Sequence, residues 1–132
     1  VISTGGTLRE NYLALVGPKA VEGISCFNAD KVILSCKGIH LEKGITDGNE
    51  MFSEVKQAML RSAKQRILAA DHTKVGNVAF CQICTLAAID MVVTDVCPGQ
   101  EWMNYFAEKG IKCLYGREND GREDHNDSLY QQ

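Results

Sequence analysis

The sequence predicts an α/β fold built on a mostly parallel sheet flanked by helices. Three observations carry this reading: short, almost wholly apolar runs bounded by turn residues, amphipathic stretches of helical period, and the alternation of the two along the chain. Right-handed crossovers then follow from the handedness rule for parallel strands. The chain has 132 residues, with 14 Lys and Arg against 17 Asp and Glu, a formal net charge of -3, three His and six Cys. That length suits one domain, which buries about two-thirds of the surface its unfolded chain exposes, so neither disulfides nor a structural metal is needed.

Taken in order, Val1-Ile2-Ser3-Thr4 reads as a short strand running into the glycine turn Gly5-Gly6-Thr7, where missing side chains let backbone approach closely or take positive φ. Pro18 after Gly17 starts a short helix that carries Val21 and Ile24, although Gly23 weakens it. Residues 32–36 form an apolar strand covered on both faces. Over 49–63, Met51, Val55, Ala58, Met59 and Ser62 share one helical face while Glu54, Lys56, Gln57, Arg61 and Lys64 take the others. A strand over 66–70 then ends at Asp71 and a polar turn.

Residues 77–88 fit either a loop or a short helix, and 89–95 read as another buried strand. A helix over 101–109 packs Trp102, Met103 and Phe106 inward and stops at Gly110, before a last strand over 111–115. Residues 117–132 hold five acids and a single Leu, a polar acidic tail with little to drive it into a core.

Charge and hydropathy exclude several functions. A net acidic chain offers no strongly basic groove for duplex DNA. No run reaches 18 apolar residues and the opening has no basic, apolar leader, so neither a membrane span nor secretion is expected. The start on Val1 suggests a piece of something longer. Cys81-Gln82-Ile83-Cys84 has redox or metal spacing, but the other cysteines are scattered without a second such pair, so all six read as small buried hydrophobes.

Several motifs in fixed order resemble the C-terminal effector-sensing domain of DeoR-type bacterial transcriptional regulators, which is similar in fold to ribose-5-phosphate isomerase. They are Gly5-Gly6-Thr7-Leu8-Arg9, Gly17-Pro18-Lys19-Ala20, Gly38-Ile39-His40 with Gly44-Ile45-Thr46-Asp47, Ala70-Asp71-His72-Thr73-Lys74-Val75-Gly76 and the run from Ile89 to Asp95. The resemblance implies a Rossmann-like three-layer architecture, present here as the later part of the sensing domain (1–116) with the tail 117–132. It also implies an N-terminal helix-turn-helix domain outside this chain, through which a homo-oligomer binds operator DNA. The expected effector is a phosphorylated sugar, the protein is expected in the cytoplasm as a repressor, and no cofactor, metal or membrane partner is expected.

Within that frame the candidate ligand residues are Gly5, Gly6, Thr7, Arg9, Lys37, Gly38, Thr46, Asp47, Asp71 and Lys74. The glycine turn offers backbone N–H groups and the Thr7 hydroxyl, and Arg9 a forked cation, or else they form a tight turn beside a solvated Arg. Lys37 falls near the C-terminal end of a predicted parallel strand, the edge at which α/β sheets bind ligands. Gly38, Thr46 and Asp47 could hold a loop over a sugar, or Thr46 or Asp47 could cap the following helix. Lys74 would attract phosphate while Asp71 orders a sugar hydroxyl or the loop, with His72 accessory. Asp95 could meet solvent, cap a helix or approach the pocket. The alternative is a sugar-phosphate isomerase-like enzyme, but no complete catalytic set is present, and 35–40 lack the paired carboxylates of the isomerase motif.

Overall fold

Strand and helix alternate through residues 1–116, the part of the chain that the computed structural model describes; the acidic tail expected over 117–132 lies outside the described residues. The chain opens with a hairpin of β1 (Thr7–Arg9) and β2 (Ala14–Val16), followed by α1 (Pro18–Ser25) and β3 (Ala29–Leu34). A second hairpin, β4 (Gly38–His40) and β5 (Gly44–Asp47), leads into α2 (Glu50–Ser62) and β6 (Ala63–Ala69). Then come β7 (Cys81–Cys84), β8 (Met91–Thr94), α3 (Gln100–Lys109) and β9 (Lys112–Tyr115). The strands form a parallel sheet in the order β3-β6-β8-β9, an antiparallel sheet β4-β5-β7, and the β1-β2 hairpin.

The α/β architecture, with its parallel sheet flanked by helices, is the one the sequence predicts. Parallel neighbours follow one another in chain order, so right-handed crossovers put the intervening helices on one face. Val32, Leu34, Leu68 and Val92 line that inner face and join Leu60 of α2 and Phe106 of α3 in one buried cluster. On the opposite face Ile33, Ile67 and Met91 lie in register, and Val93 stands beside Leu114. No described helix covers that side: Ile33 is 66% exposed and Leu114 is 44% exposed. The strand expected over 32–36 with both faces covered is therefore an edge strand over 29–34 that alternates between core and open face.

Other local differences have identifiable causes. Residues 1–4 form no strand; they cross α1 at Gly23, where a Cβ would overlap the Thr4 carbonyl oxygen. The glycine that weakens α1 as a helix is what permits this crossing. Residues 77–88 contain β7 and a short 3-10 turn, Leu86–Ala88, rather than a loop or helix. The β4-β5 hairpin buries Ile39 and Ile45 completely enough (2% and 0% exposed) to join the core although its strands are very short. Gly110 ends α3 as expected, at φ 69°, and the Ile111 amide donates to the Phe106 carbonyl at 2.8 Å.

Candidate functional site

The site grows from three chain reversals at the C-terminal edge of β3 and β6. Beyond β3, Ser35, Cys36 and Lys37 run into the β4-β5 hairpin, which delivers Asp47 and Gly48 to the start of α2. Asn49 caps that helix, its Oδ1 accepting from the amides of Met51 at 2.9 Å and Phe52 at 3.4 Å. Neither Thr46 nor Asp47 caps it, contrary to the sequence alternative. Beyond β6, a 3-10 turn at His72–Lys74 brings Lys74 toward the same place. Lys37, Asp47, Gly48, Lys56 and Lys74 line one open cleft of about 520 Å³, with Tyr12 and Phe52 on its other wall.

The three lysines differ in their commitments. Lys56 Nζ donates to the Ser35 carbonyl at 2.7 Å and pairs with Asp47 Oδ2. Asp47, only 4% exposed, also accepts from the Gly48 amide at 2.7 Å. Its charge and that of Lys56 thus offset one another at the base of the cleft. Lys37 and Lys74 make no ion pair or side-chain hydrogen bond among the described residues. Lys37 lies over Gly48, where a Cβ would come within 3.2 Å of its ammonium. Beneath them, burial pushes the Cys36 thiol up to about 11, against the opposing pull of Lys56 and Lys74.

The turn that carries Lys74 is tied down on both sides. Asp71 Oδ1 accepts from the Thr73 amide at 2.8 Å and from the Thr73 hydroxyl, and these bonds hold its carboxyl below the usual carboxylate range. The Gly76 amide donates to the Ile39 carbonyl of β4 at 2.8 Å. On the far side His72 Nδ1 meets Asp95 Oδ2 at 2.5 Å, and Asp95 Oδ1 accepts from the His72 amide at 2.7 Å. The Asp95 hydrogen bond raises the His72 pKa, and the same bond lowers that of Asp95. Asp95, which the sequence leaves between solvent, helix cap and pocket, therefore links the end of β8 to the turn.

Of the ten sequence candidates the structure brings Lys37, Asp47 and Lys74 together in the cleft. Asp71 stands behind Lys74 and orders the loop. Thr46, 2% exposed, is spent inside: its hydroxyl donates to the Gly38 carbonyl at 3.3 Å and accepts from the Ala79 amide at 2.8 Å. Gly38 is buried beside it, and a Cβ there would lie 2.6 Å from Thr46 Oγ1. These two residues build the hairpin and do not line this cleft. Gly5, Gly6 and Thr7 do not line it either. At Gly6 (φ 106°) a Cβ would sit 2.8 Å from the Ala20 Cβ, so that glycine seats the first hairpin on α1. Arg9 lies in an adjoining cleft with its Nη2 3.1 Å from Met51 Sδ.

Sequence reasoning missed Lys56, Asn49, Tyr12 and Phe52. Lys56 falls on the polar side of α2, and nothing in its spacing distinguishes a cleft-facing lysine from a solvated one. Asn49 carried a usable signal as an Asn placed just before a helical period. Among the described residues Asp47 is the one carboxylate that lines the cleft, and it is already paired. All six cysteines are free, and burial also raises the Cys84 thiol to about 11, which disfavours the thiolate needed for redox or metal use. Among the described residues no three or more His, Cys, Asp and Glu converge in a way that could hold a metal ion. No described helix is long and apolar enough to cross a membrane.

Residues 1–96 match the family described as the DeoR C terminal sensor domain. The chain is 34% identical over 119 residues to the HTH-type transcriptional repressor GlcR of Bacillus subtilis, which spans 90% of this chain and 46% of that protein. It is 38% identical over 92 residues to the HTH-type transcriptional regulator GlpR of Haloferax volcanii, covering 70% of this chain and 36% of that regulator. With the deoxyribose operon repressor of Escherichia coli K12 it shares 34% identity over 89 residues, 67% of this chain and 35% of the repressor. The chain thus spans less than half the length of these relatives.

Proposed function

Because the chain belongs to the DeoR C-terminal sensor domain family, we propose that it senses a phosphorylated sugar in the lysine cleft and relays occupancy to a helix-turn-helix domain elsewhere in the full regulator. The observation that carries the reading is the pair Lys37 and Lys74. Two ammonium groups from separate loops line one cleft without an ion pair among the described residues, while Lys56 beside them is already paired with Asp47. A phosphate oxygen accepts from both and relieves the repulsion between them. The placement of the site supports the relay, because the cleft is lined from both the β4-β5 hairpin and the turn after β6. Control of operator DNA in the cytoplasm by an oligomer of copies belongs to the same proposal, as does repression. A ligand that binds the two DNA-affinity states equally shifts nothing, so occupancy must favour one arrangement of these loops.

Calorimetric titration of the chain with a hexose 6-phosphate, and with the same hexose unphosphorylated, tests this. We expect saturable binding of the phosphate ester alone and a loss of about tenfold in affinity in Lys74→Ala and in Lys37→Ala, the scale of one charge-assisted contact. Equal affinity for both sugars, or unchanged affinity in both folded variants, would overturn the assignment.

A further inference from the structure

We propose that the turn between β1 and β2 selects the sugar, with Glu10 and Asn11 contacting hydroxyls of the part of the ligand that carries no phosphate. This rests on the reading of the lysine cleft as the phosphate site. A second open cleft, of about 480 Å³, adjoins the first and shares Tyr12, Asn49 and Phe52 with it. The ridge between them is the Tyr12–Phe52 ring pair, with centroids 5.1 Å apart and an interplanar angle of 71°. A ligand anchored on Lys37 and Lys74 that extends past this ridge enters the second cleft.

The chemistry of the two clefts differs in the way a sugar phosphate requires. The first presents the ammonium groups of Lys37 and Lys74, which make no ion pair among the described residues. The second presents Arg9 and Glu10 of opposite charge with the amide of Asn11, a neutral mixture of donors and acceptors. A hydroxyl both donates and accepts, so such a mixture suits a polyol better than a second anion. The side chains of Glu10 and Asn11 make no hydrogen bond to any described residue, which leaves their full capacity for a ligand. Tyr12 is 64% exposed, with a ring face free to pack against the C–H face of a sugar.

Leu13, at φ 49° and ψ 41°, is the one described non-glycine residue in the left-handed region, and its amide donates to the Glu10 carbonyl at 3.3 Å. A side chain in that region carries a backbone cost, and such positions cluster at ligand sites. Here the conformation closes a three-residue 3-10 turn, Glu10–Tyr12, over α2.

The test compares inorganic phosphate, a hexose 6-phosphate and its epimeric hexose 6-phosphates by amide chemical-shift titration of the chain, which follows millimolar as well as tighter binding. Asn11→Ala and Glu10→Gln should weaken the preferred hexose 6-phosphate about fivefold and narrow the affinity ratio between epimers, while inorganic phosphate binds as before. Lys74→Ala should weaken every probe. If the turn variants change neither the affinity nor the epimer ratio while Lys74→Ala weakens all probes, the selector role fails and the phosphate site stands. If the turn variants weaken inorganic phosphate equally, the turn supports the phosphate site and selects nothing. If no probe responds to Lys74→Ala, both proposals fall together.

Discussion

Two aspartates, Asp47 at the end of β5 and Asp71 just after β6, occupy similar places in the chain and opposite physical situations. Asp47 is buried, paired with Lys56 and bonded to the Gly48 amide. Asp71 is exposed and folds back on Thr73 to shape the turn that carries Lys74. Both are polar residues close to the end of a strand, yet one pairs with a lysine in the cleft and the other shapes the turn that carries a second lysine. Asp47 is committed to Lys56, while Lys37 and Lys74 make no ion pair among the described residues.

The largest effect is expected from Asp47→Ala. Removing one partner of a buried ion pair leaves the other desolvated without compensation, and we expect a loss of about 3 kcal/mol in urea-unfolding stability, the low end for buried pairs because Lys56 keeps some exposure. A loss below about 1 kcal/mol would place the pair with surface salt bridges instead. Next in size is Gly38→Ala in the same buried hairpin, where the added methyl meets Thr46 Oγ1 and the Asn77 carbonyl. We expect about 2 kcal/mol, as for other overpacked sites, and an unchanged unfolding midpoint would show that the hairpin can open to admit it.

The exposed turn gives the smallest effect, visible locally. Asp95 raises the His72 pKa above the ordinary imidazole value of 6.5, so the bridge stabilises the turn fully below that value and the stabilisation is lost as pH rises through the higher folded-state pKa. The lowered Asp95 pKa sets the acid limit, since that part of the stabilisation disappears only as pH falls through its depressed value. Proton NMR should show His72 titrating above 6.5, with the amide protection factors at 72–76, corrected for intrinsic exchange at each pH, falling beyond its midpoint while global stability scarcely moves. Titration at or below 6.5, or no change in Asp95→Asn, would remove the bridge.

What was legible in the sequence follows from what each element buries. The helix expected over 49–63 and the strands over 66–70, 89–95 and 111–115 come within a few residues of α2, β6, β8 and β9, because each repeats an apolar position over several turns or alternations. The β4-β5 hairpin and β7 carry no period long enough to read. Their strands have three or four residues, and every residue of β5 is buried, Thr46 and Asp47 included. At the site, Lys74 and Asp71 stand out because they share one turn. Lys56 became visible only through its pairing with Asp47, nine residues earlier on a different element. The glycines of the first turn were legible as glycines but not in purpose, since close packing against Ala20 and an anion-binding turn ask for the same missing side chain.

The parallel sheet has a kinetic consequence. Its order β3-β6-β8-β9 rises with the chain, so among the described residues no later strand inserts between two earlier ones. Each pairing can close once its second strand has been synthesised, and the growing edge always belongs to the newest strand. Assembly in the order of translation therefore requires no earlier contact to be undone, and the loops that hold Lys37 and Lys74 can meet once β6 has docked beside β3, before α3 and β9 exist.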